Sequence, residues 1–175
     1  MSRKPRLSAD DWLNAGLKAL AASGPEALKA EPLARALDTT KGSFYWHFED
    51  VPRYRQALLS MWRDIAANLP NQPHEKAEAV AQLKALMSDG FGGDQATETA
   101  MRNWASTDPD AAATIAELDA QRLDHLADLL RQLDVTNRDM AISLYAAKVG
   151  MDTVSPASRD DDALASLVDL VLALR

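Results

Sequence analysis

The sequence predicts an all-α protein: an N-terminal three-helix head with a helix-turn-helix, and a larger helical body. Three observations predict it. No segment alternates apolar and polar residues with β-branched enrichment. Apolar residues instead recur at helical spacing, as at 115, 118, 123, 126, 129, 130 and 133. Helix start signals recur too, among them Ser8-x-x-Asp11, Pro32 and Asp108-Pro109.

The elements follow in order. The first helix starts at Ser8, which with Asp11 forms a capping box carrying Asp in place of Glu. Its apolar stripe is Trp12, Leu13, Ala15, Gly16, Leu17, Ala19 and Leu20, and Ser23-Gly24-Pro25 ends it. A short second helix spans about 31–37, with Pro32 in its first turn, where a missing N–H costs little. Asp38-Thr39-Thr40 is a turn, and a third short helix covers about 41–48. Glu49-Asp50 breaks it, and Asp50 caps a long fourth helix through Leu58, Leu59, Trp62, Ile65 and Ala66. The run 68–73 is a loop. Further helices are expected at about 74–90, 95–106, 109–133, 137–151 and 160–174, with connectors at 135–137 and 155–158. The domain expectation is a head over 1–53 and a ligand-binding and dimerisation bundle over 54–175.

Composition sets outer limits. The chain has 175 residues, 47% hydrophobic and 26% charged, which is ordinary for a globular protein. The absence of cysteine excludes a disulfide scaffold, an iron–sulfur cluster and a thiol nucleophile. No apolar run approaches the roughly 18–20 residues that cross a bilayer, and the basic N-terminus leads into Ser8-Ala9-Asp10-Asp11, not an apolar signal core. A cytoplasmic location is therefore expected. Residues 1–55 hold nine basic and seven acidic side chains, and the remainder ten and nineteen. A mildly basic head on an acidic body suits a small DNA-reading module, or a head that is merely less acidic.

The informative stretch lies between residues 28 and 54. Two short helices joined by a tight turn make a helix-turn-helix. Leu33, Ala34 and Leu37 face inward on the first, while Phe44 and Phe48 anchor the second on the first helix and on Trp12. The outward face then carries Thr39, Thr40, Lys41, Ser43, Tyr45, Trp46 and His47. Hydroxyls, a cation, an imidazole and amphipathic aromatics suit phosphate oxygens and base edges. Thr39 or Thr40 stands at a helix N-terminus, where free N–H groups favour phosphate. Gly42, lacking a side chain, lets the backbone approach either DNA or the preceding helix.

The run TTKGSFYWHF, preceded by PLARAL, resembles the DNA-binding domain of the TetR family. Leu33-Ala34, Thr40, Gly42, Ser43, Phe44, Tyr45, His47 and Phe48 match its pattern in one register. The clear similarity covers residues 8 to about 60, and MRNWASTDPDAAATIAELDAQR resembles, less specifically, a sixth-to-seventh helix pattern of one branch of the family. The resemblance implies that Thr40, Tyr45 and His47 hold phosphates. It implies that Lys41, Gly42, Ser43 and Trp46 face bases or the groove wall. Arg3, Lys4 and Arg6 would form a DNA-reaching arm, or a solubilising tail. The chain departs from the family at Asp38, where Gly is usual, and at Thr39, where an apolar residue is usual. Asp tolerates a left-handed turn. Lys29 replaces a capping Thr or Ser but keeps a possible phosphate contact. Val51 replaces a phosphate-binding Lys or Arg. Glu31 replaces a base-reading arginine, and either accepts from a cytosine amino group or complements its helix N-terminus.

The resemblance also implies a homodimer through the helices at about 137–151 and 160–174. Leu144, Ala147 and Met151 form one stripe there, and Leu164, Leu167, Val168, Val171 and Leu174 another. Two recognition helices about 34–36 Å apart would read a near-palindromic double-stranded operator. A small-molecule effector would bind in the body, with Trp62, Ile65, Met87, Phe91, Met101, Trp104 and Tyr145 as candidate lining residues or ordinary core. Arg102 would meet an anionic ligand or pair with Glu117 or Asp119. An enzyme is not expected: His47, His74 and His125 form no His-x-x-x-His pair, and no nucleophile elbow or phosphate loop occurs. Neither cofactor nor metal is expected; His125, beside Asp124 and Asp128, is the single metal candidate in the sequence. The reading is a DNA-binding transcriptional regulator, a repressor released by an inducer. The alternatives are a DNA- or protein-binding adaptor without inducer, and a ligand-binding helical protein with an impaired head.

Overall fold

Ser8 starts the first helix as its sequence predicts. Its hydroxyl accepts from the Asp11 amide at 3.2 Å, and the Asp11 carboxylate accepts from the Ser8 amide at 2.7 Å. This closes the capping box and relieves two orphan donors. Those bonds also hold the exposed Asp11 carboxyl below its usual pKa. The computed structural model describes residues 7–154 and 161–173, and among them every regular element is helical. They are α1 (Ala9–Ser23), α2 (Ala30–Ala36), α3 (Lys41–Phe44), α4 (Val51–Ala66), α5 (Lys76–Asp89), α6 (Gln95–Ala105), α7 (Pro109–Gln132), α8 (Arg138–Val154) and α9 (Asp161–Ala173). The expected arm residues Arg3, Lys4 and Arg6, the connector 155–158 and Leu174 lie outside the described residues.

Two further start signals hold because each satisfies a specific backbone donor. Asp50 Oδ1 accepts from the Arg53 amide at 2.7 Å and so caps α4. Asp108 Oδ1 accepts from the amides of Asp110 and Ala111 at the start of α7. Two local differences have simple causes. Pro25–Ala27 forms a single 3-10 turn where only a helix stop was expected. The third helix ends at Phe44, and Tyr45–His47 form a hydrogen-bonded turn. Phe44 O accepts from the amides of both His47 and Phe48, so the two phenylalanines keep one-turn spacing without a continuing helix.

The chain closes two compact units. The first comprises Met1–Asp64 with Ala96–Ile115. Its core holds Trp12, Leu20, Leu28, Leu33, Phe44, Tyr54 and Leu58, all fully buried. The Trp12 and Phe44 rings meet edge-on at 5.4 Å, and Phe44 also packs against Phe48 and Tyr54. Such ring pairs contribute about 0.5–1.5 kcal/mol each beyond the burial of their area.

The second unit comprises Ile65–Gln95 with Ala116–Arg175. Leu83, Leu86, Leu126, Leu129, Leu130, Leu133, Leu144, Leu164 and Val168 form its core. On α8 the buried stripe is Ala141, Leu144, Tyr145 and Lys148, while Ala147 and Met151 are half-buried. Two cations enter this core. Lys148 is 3% exposed and pairs with Asp152 one turn on at 2.9 Å. Arg122, also buried, lies over the Phe91 ring and within 3.5 Å of Tyr145 Oη and the Ala66 carbonyl. Tyr145 in turn donates to Asp119 at 2.6 Å.

Candidate nucleic-acid interface

The helix-turn-helix is built from α2, the turn 37–40 and α3. Leu33 and Ala34 are buried on α2, and Leu37 is half-buried at its end. Asp38 takes a left-handed conformation, φ 50°, at the position where the family usually has glycine. Asp is among the few residues that accept it at small cost. The Thr39 amide then donates to the Ala34 carbonyl at 2.9 Å, closing the α2 end. Thr40 is the N-cap of α3, its hydroxyl accepting from the Ser43 amide at 3.3 Å.

With Phe44 and Phe48 in the core, the opposite face of α3 and its following turn points to solvent. Thr40, Lys41 and Gly42 are exposed. Tyr45 is 47% exposed, and Trp46 79%, a large aromatic left outside a core that holds Trp12. The Lys41 ammonium stands 6.0 Å from the Tyr45 ring, so cation and aromatic share one patch. Thr39, Ser43 and His47 are half-buried at its edge. A Cβ on Gly42 would meet only the Thr40 hydroxyl, at 3.7 Å. Close packing of Gly42 on the preceding helix is thus not the reason for this glycine.

Two family departures now have local explanations. Lys29 is the N-cap of α2 and makes no side-chain cap; its ammonium pairs with Glu26 at 2.8 Å instead. Glu31 lies in the first turn of α2, where a carboxylate complements the helix dipole, and meets Arg35 one turn on at 3.4 Å.

The candidate effector residues fall in both units. Trp62, Met101 and Trp104 are buried in the first, and Met87, Phe91 and Tyr145 in the second. Phe91 and Tyr145 meet edge-on at 5.2 Å within the second unit's core. Ile65 is 45% exposed. Arg102 pairs with Glu98 one turn back, at 2.9 Å. His125 is half-buried in a glutamine clamp: Nδ1 lies 3.1 Å from Gln72 Nε2 and Nε2 lies 3.2 Å from the Gln82 amide. No group of three or more His, Asp or Glu residues that could hold a metal occurs among the described residues.

Sequence reasoning missed Tyr54, Arg55 and Arg122. The Tyr54 and Arg55 contacts span at least 30 residues of chain and leave no local signal. Arg122 did leave one: it falls four residues from both Leu118 and Leu126, on the buried stripe of α7.

The fold and this exposed face define a helix-turn-helix domain at the N-terminal end of the chain. Residues 13–50 match the family model described as "Bacterial regulatory proteins, tetR family". The fold is also similar to the crystal structure of a transcriptional regulator from Rhodococcus sp. Rha1, with a TM-score of 0.70. That likeness covers 96% of this chain and 95% of that chain at 16% identity, and it bears on the fold alone. A search of curated proteins finds no match. Residues 13–50 thus carry a helix-turn-helix domain of the TetR type. No helix among the described residues is long and apolar enough to cross a membrane.

Proposed function

We propose that this chain is a homodimeric repressor that binds a near-palindromic operator and is released by a small-molecule effector. The observation that carries the reading is the exposed patch of Lys41, Tyr45 and Trp46 raised over the buried Phe44 and Phe48. So large an apolar ring left in water contributes nothing to stability, so its placement beside a cation makes sense if another surface covers it. DNA supplies both phosphates for the cation and a groove wall for the aromatics. In this reading Thr40, Tyr45, His47 and Lys29 hold backbone phosphates. Lys41, Gly42, Ser43 and Trp46 face the bases, and Thr39 supports the turn. The head is proposed to span 1–53, and the ligand-binding and dimerisation bundle 54–175.

Dimerisation through α8 and α9 is supported by Ile142 and Leu170, large apolar side chains 47% and 59% exposed on those helices. Effector release is a coupling free energy, typically about 1–3 kcal/mol and reciprocal between ligand and DNA. The test is fluorescence anisotropy of the full chain on DNA flanking its own gene, against scrambled competitor, over a salt series. Binding at roughly 10⁻⁸ M that resists competitor supports the reading. Binding indistinguishable from competitor across the genomic fragments tested overturns it in favour of a ligand-binding protein with an impaired head.

A further inference from the structure

The first unit holds a cleft that the DNA-facing patch does not use. It runs between the first two turns of α4 and the α6–α7 junction, and its volume is about 480 Å³. Val51, Pro52 and Leu59 give it apolar walls, Trp104 lines it, and Lys29, Gln56, Asp108 and Asp110 reach its margin. Along α4 it continues past Ser60 to Arg63 as a shallower groove.

Arg55 is the residue in this cleft with an unmet demand. It is half-buried, its guanidinium lies 6.0 Å from the Trp104 ring, and Nη2 makes one long contact of 3.4 Å to the Pro25 carbonyl. Its Nε is buried with no hydrogen-bond partner, and the Glu26 carboxylate, which bonds Lys29, acts on it only as a nearby charge. That is unusual in a chain with 26 acidic and 19 basic side chains. A partly desolvated guanidinium gains most from one charge-assisted, in-plane acceptor pair. Two of its charged neighbours are engaged: Lys29 pairs with Glu26, and Asp108 Oδ1 accepts from two amides at the start of α7.

We infer that the cleft binds a small amphipathic monocarboxylate, its carboxylate on Arg55 and its apolar, preferably aromatic, body against Trp104, Leu59 and Val51. The charge balance selects one negative charge. Asp108 and Asp110 at the margin repel a phosphate dianion, and the apolar walls leave a hydrophilic anion without contacts. The volume suits a ligand of drug-like size. Lys29 stands at the N-cap position of α2 and Val51–Pro52 open α4, so occupancy braces the two helices that flank the recognition turn. Carboxylate binding stands independently of any role in DNA recognition; the bracing effect on operator affinity rests on the regulator reading.

The test is isothermal titration calorimetry of the full chain with 1-naphthylacetate, and with 1-naphthylacetamide as its uncharged counterpart. The acid should bind, and the amide at least about tenfold more weakly, because the unpaired cation is then left unsatisfied. Arg55→Gln should lower acid affinity to that of the amide while circular dichroism and the melting temperature report a folded chain. Gln56→Trp, a change at an exposed margin residue, should fill the cleft and abolish binding of both. Equal affinity for acid and amide, unchanged acid binding by Arg55→Gln, or no heat up to about 5 mM acid overturns the inference. Operator anisotropy separates the two claims. A chain that binds the acid but no operator keeps this site and loses the repressor reading; one that binds operator but no acid does the reverse.

Discussion

The Tyr54 hydroxyl donates to the Trp12 carbonyl at 3.0 Å, which ties the fourth helix to the first through the centre of the head. Tyr54 is fully buried, and burial pushes its phenol pKa well above the usual value, so it stays a neutral donor. Gly16 makes this approach possible. A Cβ there would sit 1.9 Å from the Tyr54 hydroxyl oxygen, 3.0 Å from Cζ and 3.1 Å from Leu58 Cδ1. α1 therefore carries a glycine at mid-helix for a packing reason, although glycine lowers helix propensity by about 1 kcal/mol.

Gly16→Ala should therefore destabilise the protein, against its helix propensity. Overpacking costs about 1–3 kcal/mol, and the propensity gain offsets part of that. Tyr54→Phe should lose about 1 kcal/mol with the hydrogen bond. In the double variant the two effects should not add, because the hydroxyl that clashes with the new methyl is gone. Urea unfolding of the four proteins measures the cycle. A Gly16→Ala chain as stable as the parent contradicts the packing account.

Gly42 should behave in the opposite way. Its Cβ position is open apart from the Thr40 hydroxyl, and its φ is not positive, so Gly42→Ala should leave stability unchanged or slightly raised. Operator affinity should nevertheless fall, because the added methyl stands on the face proposed to approach DNA. Lys41→Ala should weaken binding to every DNA sequence and reduce the salt slope by about one if Lys41 meets phosphate. If preference relaxes at a single base position instead, Lys41 is a base reader. Gly42→Ala binding operator at parental affinity would remove the backbone-approach account.

What was legible in the sequence was local. Ser8, Thr40, Asp50 and Asp108 announce helix starts because each satisfies an amide two or three residues away. Phe44 and Phe48 read correctly as core because their spacing alone places them on one side. The end of α3 was not legible, since a hydrogen-bonded turn preserves that same spacing. Arg122 and Lys148 read as surface by chemistry and as core by period, and the period was the better guide. Arg55 gave no signal. Its significance lies in the missing carboxylate and in Trp104, 49 positions along the chain, and no window of sequence holds both.

His125 should make stability depend on pH. Burial lowers its pKa below the ordinary 6.5, and Asp128 opposes the shift in part. The Gln72 amide donates to the His125 carbonyl at 3.2 Å, and its oxygen accepts from Gln132 at 3.0 Å. Its NH₂ group is thereby held toward Nδ1, which must accept and so must be unprotonated. Between 6.5 and the lowered folded-state pKa, the unfolded chain holds the proton and the folded chain does not. The neutral ring's contribution is thus complete above about pH 6.5 and declines as pH falls through the folded-state pKa. Unfolding midpoints at about pH 7.5 and pH 5.5 should drop more for the parent than for His125→Gln. Parallel drops would show that His125 titrates normally.

Leu170 tests the assembly. An apolar side chain 59% exposed on α9 is tolerable singly in a monomer, but Ile142 on α8 is exposed as well, and both lie on the helices proposed to pair. In an isologous dimer each substitution occurs twice, so one buried charge per chain places two in the interface. Leu170→Glu should convert the dimer to a monomer at micromolar concentration, read by light scattering after size exclusion. The helical content should not change, because the side chain leaves no cavity in the core of its own chain. Operator binding should collapse with the dimer, since a lone head reads one half-site and loses the gain from linking two. A parent chain that is monomeric under these conditions, or a Leu170→Glu chain that stays dimeric, would place the interface elsewhere.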